Sequence, residues 1–209
     1  VKRVEDGHMF VEEVNEDGIN ARRVGANTCR RSNHSTPVFV EAANHAAQVD
    51  AALEIVGRWI RGERAGHPAK PIKPEEIGIF YPKLGNNLGL MERLVAGMSK
   101  LAPTRWLSDK RDALCHVGVN DQAIKVQTVH SAKGLQYKAV LVLWTDMLPV
   151  GKAAADEERR LLYVAITRAE NDIVLLGSGQ RGFAFEFQQA CAVRYFPFAA
   201  REDELGAVA

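Results

Sequence analysis

Short apolar runs alternate with longer stretches of helical periodicity along most of this chain. Apolar runs bounded by turn residues predict buried strands. They lie at 37–41, 77–81, 104–107, 124–129, 139–144 and 172–176. Apolar residues at a period near 3.6 predict helices at 42–61, 87–101, 156–169 and 183–193. Strands that alternate with helices are typical of βαβ units, so an α/β fold with a mostly parallel sheet is expected.

The two ends of the chain have a weaker pattern than its centre. Residues 1–36 show loose alternation around turn residues such as Asp17-Gly18, which predicts an irregular arm or a hairpin of 9–14 with 19–24. Residues 37–198 form the predicted α/β domain, and 199–209 are expected to be a tail. The chain begins with Val1 rather than Met, which suggests a fragment of something longer.

Composition narrows the class of protein and of partner. The formal net charge is +1, so a whole-domain basic surface for nucleic acid is absent and any DNA contact must be a local patch. Three separated cysteines, Cys29, Cys115 and Cys191, favour a reduced, cytoplasmic compartment over a disulfide framework or a metal site. No apolar run is long enough to span a bilayer, so no membrane association is expected.

Two segments contain most of the residues suited to catalysis or ligand binding. Residues 126–136 read VQTVHSAKGLQ after a predicted strand, and residues 157–169 read EERRLLYVAITRA in a predicted helix. Together they resemble motifs V and VI of the UvrD/Rep/PcrA group of superfamily-1 DNA helicases. The resemblance implies a three-layer RecA-like (P-loop NTPase-type) fold, the second motor domain of such an enzyme. Only residues 82–125 separate motif V from the preceding motif, which implies a compact form without the large inserted subdomain.

Arg168 is the candidate catalytic residue. A guanidinium is a planar fork of donors that suits a phosphate, and in phosphoryl transfer it neutralises developing charge. The resemblance implies that Arg168 reaches the γ-phosphate of ATP held by a partner domain. The alternative for a helix-end arginine is that it only satisfies the last carbonyl groups of its helix.

The loop after residue 128 supplies candidates for both ligands. The resemblance implies that Thr128, His130 and Lys133 contact single-stranded DNA. It also assigns Gly134 and Gln136 to the nucleotide, although the family usually has Glu at the place of Gln136, where it contacts the ribose. Glutamine can still form a hydrogen bond to a hydroxyl, as a neutral partner.

Residues 77–83 read IGIFYPK and resemble motif IV of the same family. The resemblance implies that Tyr81 stacks near the adenine and that Lys83 meets phosphate. The family has Arg directly after the tyrosine, whereas this chain has Pro82 there. A lysine one residue further on is a point charge, so it is not equivalent to that arginine.

The sequence lacks a phosphate-binding loop of its own. Gly151-Lys152 fails the Walker A pattern because Asp146 and Ala153 occupy the required Gly and Ser/Thr positions. Residues 177–182 match Gly-x-Gly-x-x-Gly, but no following strand is predicted that would complete a dinucleotide-binding unit. Asp146 is the one strand-end acid that resembles a magnesium ligand, and no metal site is predicted.

The resemblance implies the C-terminal motor domain of an ATP-dependent DNA helicase or translocase. ATP and Mg²⁺ would be held mainly by an N-terminal RecA-like domain of the same protein, with single-stranded DNA as the other partner. The isolated chain is therefore expected to be inactive. Pro82 and Gln136 favour an alternative, a catalytically silent DNA-binding or assembly module on a helicase-derived fold.

Overall fold

The structure, a computed structural model, describes residues 2–5, 8–15, 18–24, 37–64, 67–82, 84–107, 122–131, 135–149, 155–179 and 181–198. The chain divides into two compact units, residues 1–34 and residues 35–209. In the first unit the strands β1 (Lys2–Glu5), β2 (His8–Asn15) and β3 (Gly18–Val24) form an antiparallel sheet in that order. The predicted hairpin is present, because Met9 pairs with Val24 and Val14 pairs with Ile19.

A seven-stranded sheet forms the centre of the second unit. Its strands are β4 (Val38–Glu41), β7 (Ile77–Tyr81), β8 (Thr104–Trp106), β9 (Ile124–Thr128), β10 (Tyr137–Val142), β11 (Ala169–Gly177) and β12 (Ala192–Tyr195). Their order across the sheet is β12-β4-β11-β10-β7-β9-β8, and every adjacent pair is parallel. A separate two-residue ladder joins β5 (Glu63–Arg64) to β6 (His67–Pro68).

Helices cover both faces of this sheet. The helices α1 (His45–Arg61) and α2 (Leu88–Leu101) bury Val56, Leu94 and Met98 in one apolar cluster with the sheet. The helices α3 (Ala155–Ile166) and α4 (Gly182–Ala190) bury Leu162 and Phe183 in a second cluster. The predicted three-layer α/β fold with a parallel sheet is therefore confirmed.

Helix starts and lengths follow local chemistry. Asn44 begins α1 because its side-chain Oδ1 accepts a hydrogen bond from the Ala47 N–H at 2.9 Å. None of the described helices is long and apolar enough to cross a membrane.

Two strands start earlier than the sequence pattern predicts. Strand β10 begins at Tyr137 rather than 139, and β11 begins at Ala169 rather than 172, where α3 was expected to continue. Tyr137 pairs with Ala169 at the entry of both strands, and the Tyr137 N–H donates to the Arg168 carbonyl at 2.9 Å. Backbone pairing therefore extends the strands beyond their apolar runs, and residues 136 and 168 lie just before them.

The far edge of the sheet holds a strand that the sequence pattern did not predict. The expected helix 183–193 ends at Ala190, and Ala192–Tyr195 forms β12 alongside β4. This short edge strand is mostly exposed, so it carries no buried apolar run.

Candidate functional site

The predicted site residues lie on two opposite edges of the parallel sheet. In such a sheet all strands begin at one end of the sheet and finish at the other. We call the end where the strands begin the amino edge and the end where they finish the carboxyl edge; neither is an outer strand of the sheet. Gln136 and Arg168 directly precede the paired residues Tyr137 and Ala169, so both lie at the amino edge. Adjacent strands are about 5 Å apart, which makes these two residues neighbours.

Arg168 occupies the turn between α3 and β11, and its side chain is half-buried. The turn is closed by other groups. The Thr167 hydroxyl donates to the Val164 carbonyl at 3.0 Å, and the Arg168 N–H donates to the Ala165 carbonyl at 3.1 Å. The helix end therefore does not depend on the guanidinium for capping, which weakens the purely structural interpretation of this arginine.

The side chain of Arg168 has unused donor capacity within the described part of the chain. Its Nε atom is buried and has no hydrogen-bond partner there. A buried polar group without a partner is costly, and it is commonly satisfied by a ligand, an ion or water. Gln136, its neighbour, is exposed. Together they present hydrogen-bonding groups at one position of the amino edge.

The carboxyl edge carries the predicted DNA contacts. Thr128 is the last residue of β9, and a 3₁₀ turn, Val129–Ser131, follows it. The Thr128 and Ser131 hydroxyls are 2.9 Å apart, and His130 between them is exposed. This hydrogen bond holds the turn so that the imidazole faces outward. Lys133 and Gly134 lie outside the described residues.

The prediction that Tyr81 stacks on adenine is wrong. Tyr81 ends β7 at the carboxyl edge, paired with Thr128, and is only 2% exposed. Its hydroxyl accepts a hydrogen bond from Trp106 Nε1 at 2.8 Å, and its ring packs edge-on against Trp144. No face of the ring is free for a base. The sequence pattern could not reveal this burial, because Trp106 and Trp144 lie on other strands.

The predicted ATP contacts also do not converge on one place. Tyr81 lies at the carboxyl edge, whereas Gln136 lies at the amino edge before the six residues of β10. Six strand residues span roughly 20 Å. Lys83, predicted beside Tyr81, lies outside the described residues. The nucleotide candidates within the described chain are therefore Gln136 and Arg168.

Parts of the chain are similar to known DNA helicases. Residues 105–178 match the sequence pattern of the UvrD-like helicase C-terminal domain family. The chain is 43% identical over 63 residues to the ATP-dependent DNA helicase UvrD1 of Mycobacterium leprae, covering 27% of this chain and 8% of that protein. It is 38% identical over 66 residues to the ATP-dependent DNA helicase PcrA of Bacillus subtilis, covering 28% and 9%. The DNA helicase II of Rickettsia typhi is 30% identical over 82 residues, covering 35% and 12%.

A solved structure supports the fold. The crystal structure of the C-terminal domain of a possible DNA helicase from Lactobacillus plantarum superposes with a TM-score of 0.52. It covers 77% of this chain and 86% of that one at 16% identity, which is evidence for the fold alone.

Residues 105–178 of the chain are thus similar to a UvrD-like helicase C-terminal domain. The chain spans about a tenth of the length of the curated helicases that it matches, 8% to 12% of those three relatives. The range matched by this family includes Thr128, His130, Gln136 and Arg168. Tyr81, which the structure buries, lies outside that range.

A polar network at the carboxyl edge was not predicted as a unit. The buried carboxylate of Asp146 accepts hydrogen bonds from Gln48 Nε2 at 2.9 Å and from the Ser178 backbone N–H at 3.1 Å. Its other oxygen is 2.7 Å from His45 Nε2 and 3.2 Å from the Ser178 hydroxyl. The sequence signal was present, since His45 and Gln48 are three residues apart on α1 and Asp146 follows a buried strand.

This Asp146 network braces the domain built on the parallel sheet rather than offering free ligands. Burial alone would raise the pKa of Asp146, but the hydrogen bonds from Gln48 and His45 hold that pKa below its usual range. Gln48 Oε1 also accepts from the Trp144 N–H at 2.9 Å, where Trp144 has a left-handed φ of 55°. The described residues hold no group of three His, Cys, Asp or Glu side chains suited to a metal.

An open cavity of about 670 Å³ lies beside this network. It is lined by residues that include Asn44, His45, Asp146, Ser178 and Arg181. The lining polar groups of the network already have partners within the domain. The cavity therefore lies over polar groups whose hydrogen bonds are already made within the domain, and no ligand is assigned to it.

The Gly-rich segment 177–182 does not form a dinucleotide site, although the reason differs from the one expected. A following strand exists, but β12 pairs with β4 and not with β11. The first turn of α4 is also covered, because the Phe183 N–H donates to the Leu148 carbonyl at 2.8 Å. Gly182 has a φ of 55°, and a Cβ there would lie 1.9 Å from the Leu148 oxygen. A phosphate therefore has no access to this helix end.

The charged face of α3 makes a tertiary contact. Arg159 forms an ion pair with Glu186 of α4 and lies over the Phe183 ring, 4.8 Å from its centroid. Leu162 is buried, whereas its neighbour Tyr163 is 67% exposed. Tyr163 points away from the sheet because Leu162 and Ala165 form the buried face of the helix.

Proposed function

We propose that this domain is the second motor domain of an ATP-dependent DNA helicase or translocase. In this proposal the amino edge of its sheet meets a nucleotide held by a partner domain, and the carboxyl edge meets single-stranded DNA. The observation that carries the proposal is the half-buried Arg168, which has an unpartnered Nε among the described residues and adjoins the exposed Gln136.

The amino edge has the donors that a nucleotide requires. The sequence has no phosphate-binding loop, so ATP and Mg²⁺ would be held mainly by an N-terminal RecA-like domain of the same protein. Arg168 would meet the γ-phosphate and stabilise the charge that develops during transfer. Gln136 would form a neutral hydrogen bond to a ribose hydroxyl, where a glutamate would form a charged one.

The carboxyl edge suits a nucleic-acid backbone. Thr128 and the exposed His130 lie at one braced turn, and Lys133, which follows them in the sequence, would add a positive charge. Hydroxyl, imidazole and ammonium groups contact phosphates without reading bases. Binding through this edge should therefore be independent of DNA sequence and should weaken as the salt concentration rises.

The two edges together give a mechanism of movement. Closure of the partner domain on ATP would bring Arg168 to the γ-phosphate, and hydrolysis would release it. Because Thr128 ends one strand of the sheet and Arg168 directly precedes another, the same closure would shift the DNA-side turn relative to the single strand of DNA. Such alternation is a hinge motion tied to nucleotide state. The domain alone, without the ATP-holding partner, should not hydrolyse ATP.

Two observations favour a second candidate, a catalytically silent DNA-binding or assembly module. Burial removes Tyr81 from the predicted nucleotide contacts, and Pro82 follows it where the resemblance expects Arg. A module of this kind would retain the DNA edge while its amino edge carried no catalytic role.

The deciding experiment is ATP hydrolysis stimulated by single-stranded DNA in the full-length protein and its Arg168→Ala variant. We expect the stimulated turnover to fall by about a thousandfold or more, as for other arginines that act on a transferred phosphoryl group. Arg194→Ala, which removes an exposed arginine from the edge strand β12, is the matched control and should retain turnover.

Either of two results would overturn the motor proposal. In one, the wild-type protein shows no DNA-stimulated turnover. In the other, Arg168→Ala hydrolyses ATP as fast as Arg194→Ala. Retained DNA binding in either case would support the silent module.

A further inference from the structure

Tyr137 spans the sheet between the two candidate edges. Its backbone lies at the amino edge, where its N–H donates to the Arg168 carbonyl at 2.9 Å. Its side chain crosses β7 and reaches β9, where its hydroxyl accepts a hydrogen bond from Gln127 Nε2 at 3.1 Å. Strands β10 and β9 are not adjacent, so this side chain joins two strands that the backbone ladder does not pair directly.

The path of the tyrosine ring depends on Gly78. A Cβ at that position would lie 2.9 Å from Tyr137 Cδ2, so only glycine lets the ring lie flat over β7. Phe80 packs edge-on against the ring at a centroid distance of 5.8 Å, and the Lys125 ammonium lies 5.9 Å from its centroid. These contacts leave the ring one position, with its hydroxyl directed at Gln127.

A short chain of bonds therefore connects the two edges. The backbone carbonyl of Arg168 accepts a hydrogen bond from the Tyr137 N–H, and the Tyr137 hydroxyl accepts one from the Gln127 side chain. Gln127 directly precedes Thr128, whose hydroxyl is bonded to Ser131 in the exposed turn. The nucleotide-side arginine and the DNA-side turn are thus linked through a single buried side-chain hydrogen bond.

We propose that the hydrogen bond between Gln127 and Tyr137 couples the DNA-side turn to the position of Arg168. This proposal rests on the proposed motor function. Tyr137 would act as a positioning residue: a displacement of the Thr128 turn by DNA would move the tyrosine and, through its backbone, the arginine. Coupling of this kind needs a contiguous and stiff connection, which the packed ring provides.

Burial strengthens this hydrogen bond and keeps the tyrosine hydroxyl protonated. Gln127 is 1% exposed and Tyr137 is 2% exposed, so water cannot replace a lost partner. Burial raises the pKa of Tyr137 to about 12, although the Gln127 hydrogen bond lowers it somewhat. The hydroxyl therefore keeps its proton at neutral pH, and the link transmits displacement rather than a proton.

The test uses Tyr137→Phe in the full-length protein, with Tyr81→Phe as the matched control. Both changes delete one buried tyrosine hydroxyl that accepts one hydrogen bond, but the partner of Tyr81 is Trp106 on β8, away from Arg168. The readout is the ratio of ATP turnover with saturating single-stranded DNA to turnover without DNA. We expect Tyr137→Phe to lower this ratio about tenfold, which lies within the typical range of coupling between sites. Tyr81→Phe should leave the ratio within about twofold of the wild-type value, below that range.

A second variant separates coupling from loss of stability. Gln127→Met removes the donor and keeps a similar volume, so it should lower the ratio as much as Tyr137→Phe does. The double variant should fall no further, because both changes break one bond. Thermal midpoints of all variants show whether they are folded and equally destabilised.

The outcomes distinguish the coupling from the motor function. A wild-type ratio of one overturns both proposals. A stimulated wild-type protein whose Tyr137→Phe ratio is unchanged, or falls only as far as that of Tyr81→Phe, overturns the coupling and leaves the motor function intact.

Discussion

The amino and carboxyl edges of the same sheet differ in how many hydrogen-bond partners the fold supplies to a charged side chain. At the amino edge, Arg168 keeps a buried Nε without a partner among the described residues. At the carboxyl edge, Asp146 is bonded to His45, Gln48 and Ser178. Both positions lie close to an end of a strand of the sheet, and both would attract attention in a search for catalytic residues. The number of partners already supplied by the fold separates a group held for a ligand from one that braces the domain.

A similar contrast exists within the carboxyl edge. Tyr81 and Thr128 are paired on adjacent strands, but the tyrosine is buried against two tryptophans while the following turn exposes His130. A motif position therefore becomes a ligand contact only where its side chain remains accessible. Under the proposed function, this criterion assigns the DNA contacts of the carboxyl edge to the turn after β9 rather than to the end of β7.

The largest effect expected at the carboxyl edge is on stability. Asp146→Asn replaces a carboxylate that accepts several hydrogen bonds with an amide that brings a donor toward other donors. Breaking one partner of such a buried charged network should lower the free energy of unfolding by about 3 kcal/mol. Urea unfolding of the chain would measure this loss. A change below about 0.5 kcal/mol, the level of an ordinary surface substitution, would show that the network is not a brace.

The same network predicts a pH dependence. The pKa of Asp146 is lowered in the folded state from the ordinary value of 3.8. Its stabilising contribution is therefore present above that value and is lost as the pH falls through the lower folded pKa. Asp146→Asn should be less sensitive than the wild type to acid in this range. An identical acid profile would mean that Asp146 contributes nothing to the loss.

A smaller effect is expected for His130→Ala. Loss of one hydrogen bond to a charged phosphate should weaken single-stranded DNA binding by roughly tenfold. The KM for ATP should not change, since His130 is on the edge opposite to Gln136. Fluorescence anisotropy with a labelled oligonucleotide measures the first quantity, and steady-state hydrolysis measures the second. An increase in KM for ATP without weaker DNA binding would instead assign the nucleotide to the carboxyl edge and contradict the assignment of DNA to it.

The smallest effect is expected for Gln136→Ala. A single neutral hydrogen bond to a ribose hydroxyl contributes about 1 kcal/mol, which corresponds to roughly a fivefold higher KM for ATP. The kcat should be nearly unchanged, because such a contact binds ground state and transition state alike. Gln136→Glu is the informative partner variant, as it keeps an acceptor at this position and should retain a low KM. Weaker DNA binding by Gln136→Ala, with KM unaltered, would contradict a nucleotide edge.

The sequence was sufficient to predict most of the fold but not the exposed outer strand of the sheet. Strands such as Ile77–Tyr81 and Tyr137–Val142 are buried, so their apolar runs are visible in the sequence. Strand β12 consists of Ala192–Tyr195 and is largely exposed, so only its pairing with β4 defines it. A strand formed by backbone pairing at an exposed edge leaves little trace in hydrophobicity.

Candidate site residues could be named from the sequence where the motif is contiguous. Arg168 and His130 were predicted from contiguous motifs, and the structure leaves both side chains at least partly accessible. Tyr81, the Asp146 network and the Tyr137–Gln127 hydrogen bond depend on residues that lie far apart in the chain. Tertiary packing decides such contacts, and a single sequence does not show which distant side chains will meet.

The most direct test of the two-edge account compares Arg168→Ala and His130→Ala of the full-length protein in the same two assays. ATP turnover at saturating ATP and DNA tests the amino edge, and the Kd for single-stranded DNA tests the carboxyl edge. The account predicts that Arg168→Ala loses turnover while its Kd stays within about twofold, and that His130→Ala weakens DNA binding by roughly tenfold while retaining turnover. If both variants lose both properties to the same degree, or if their effects are exchanged, the assignment of nucleotide and DNA to opposite edges is contradicted.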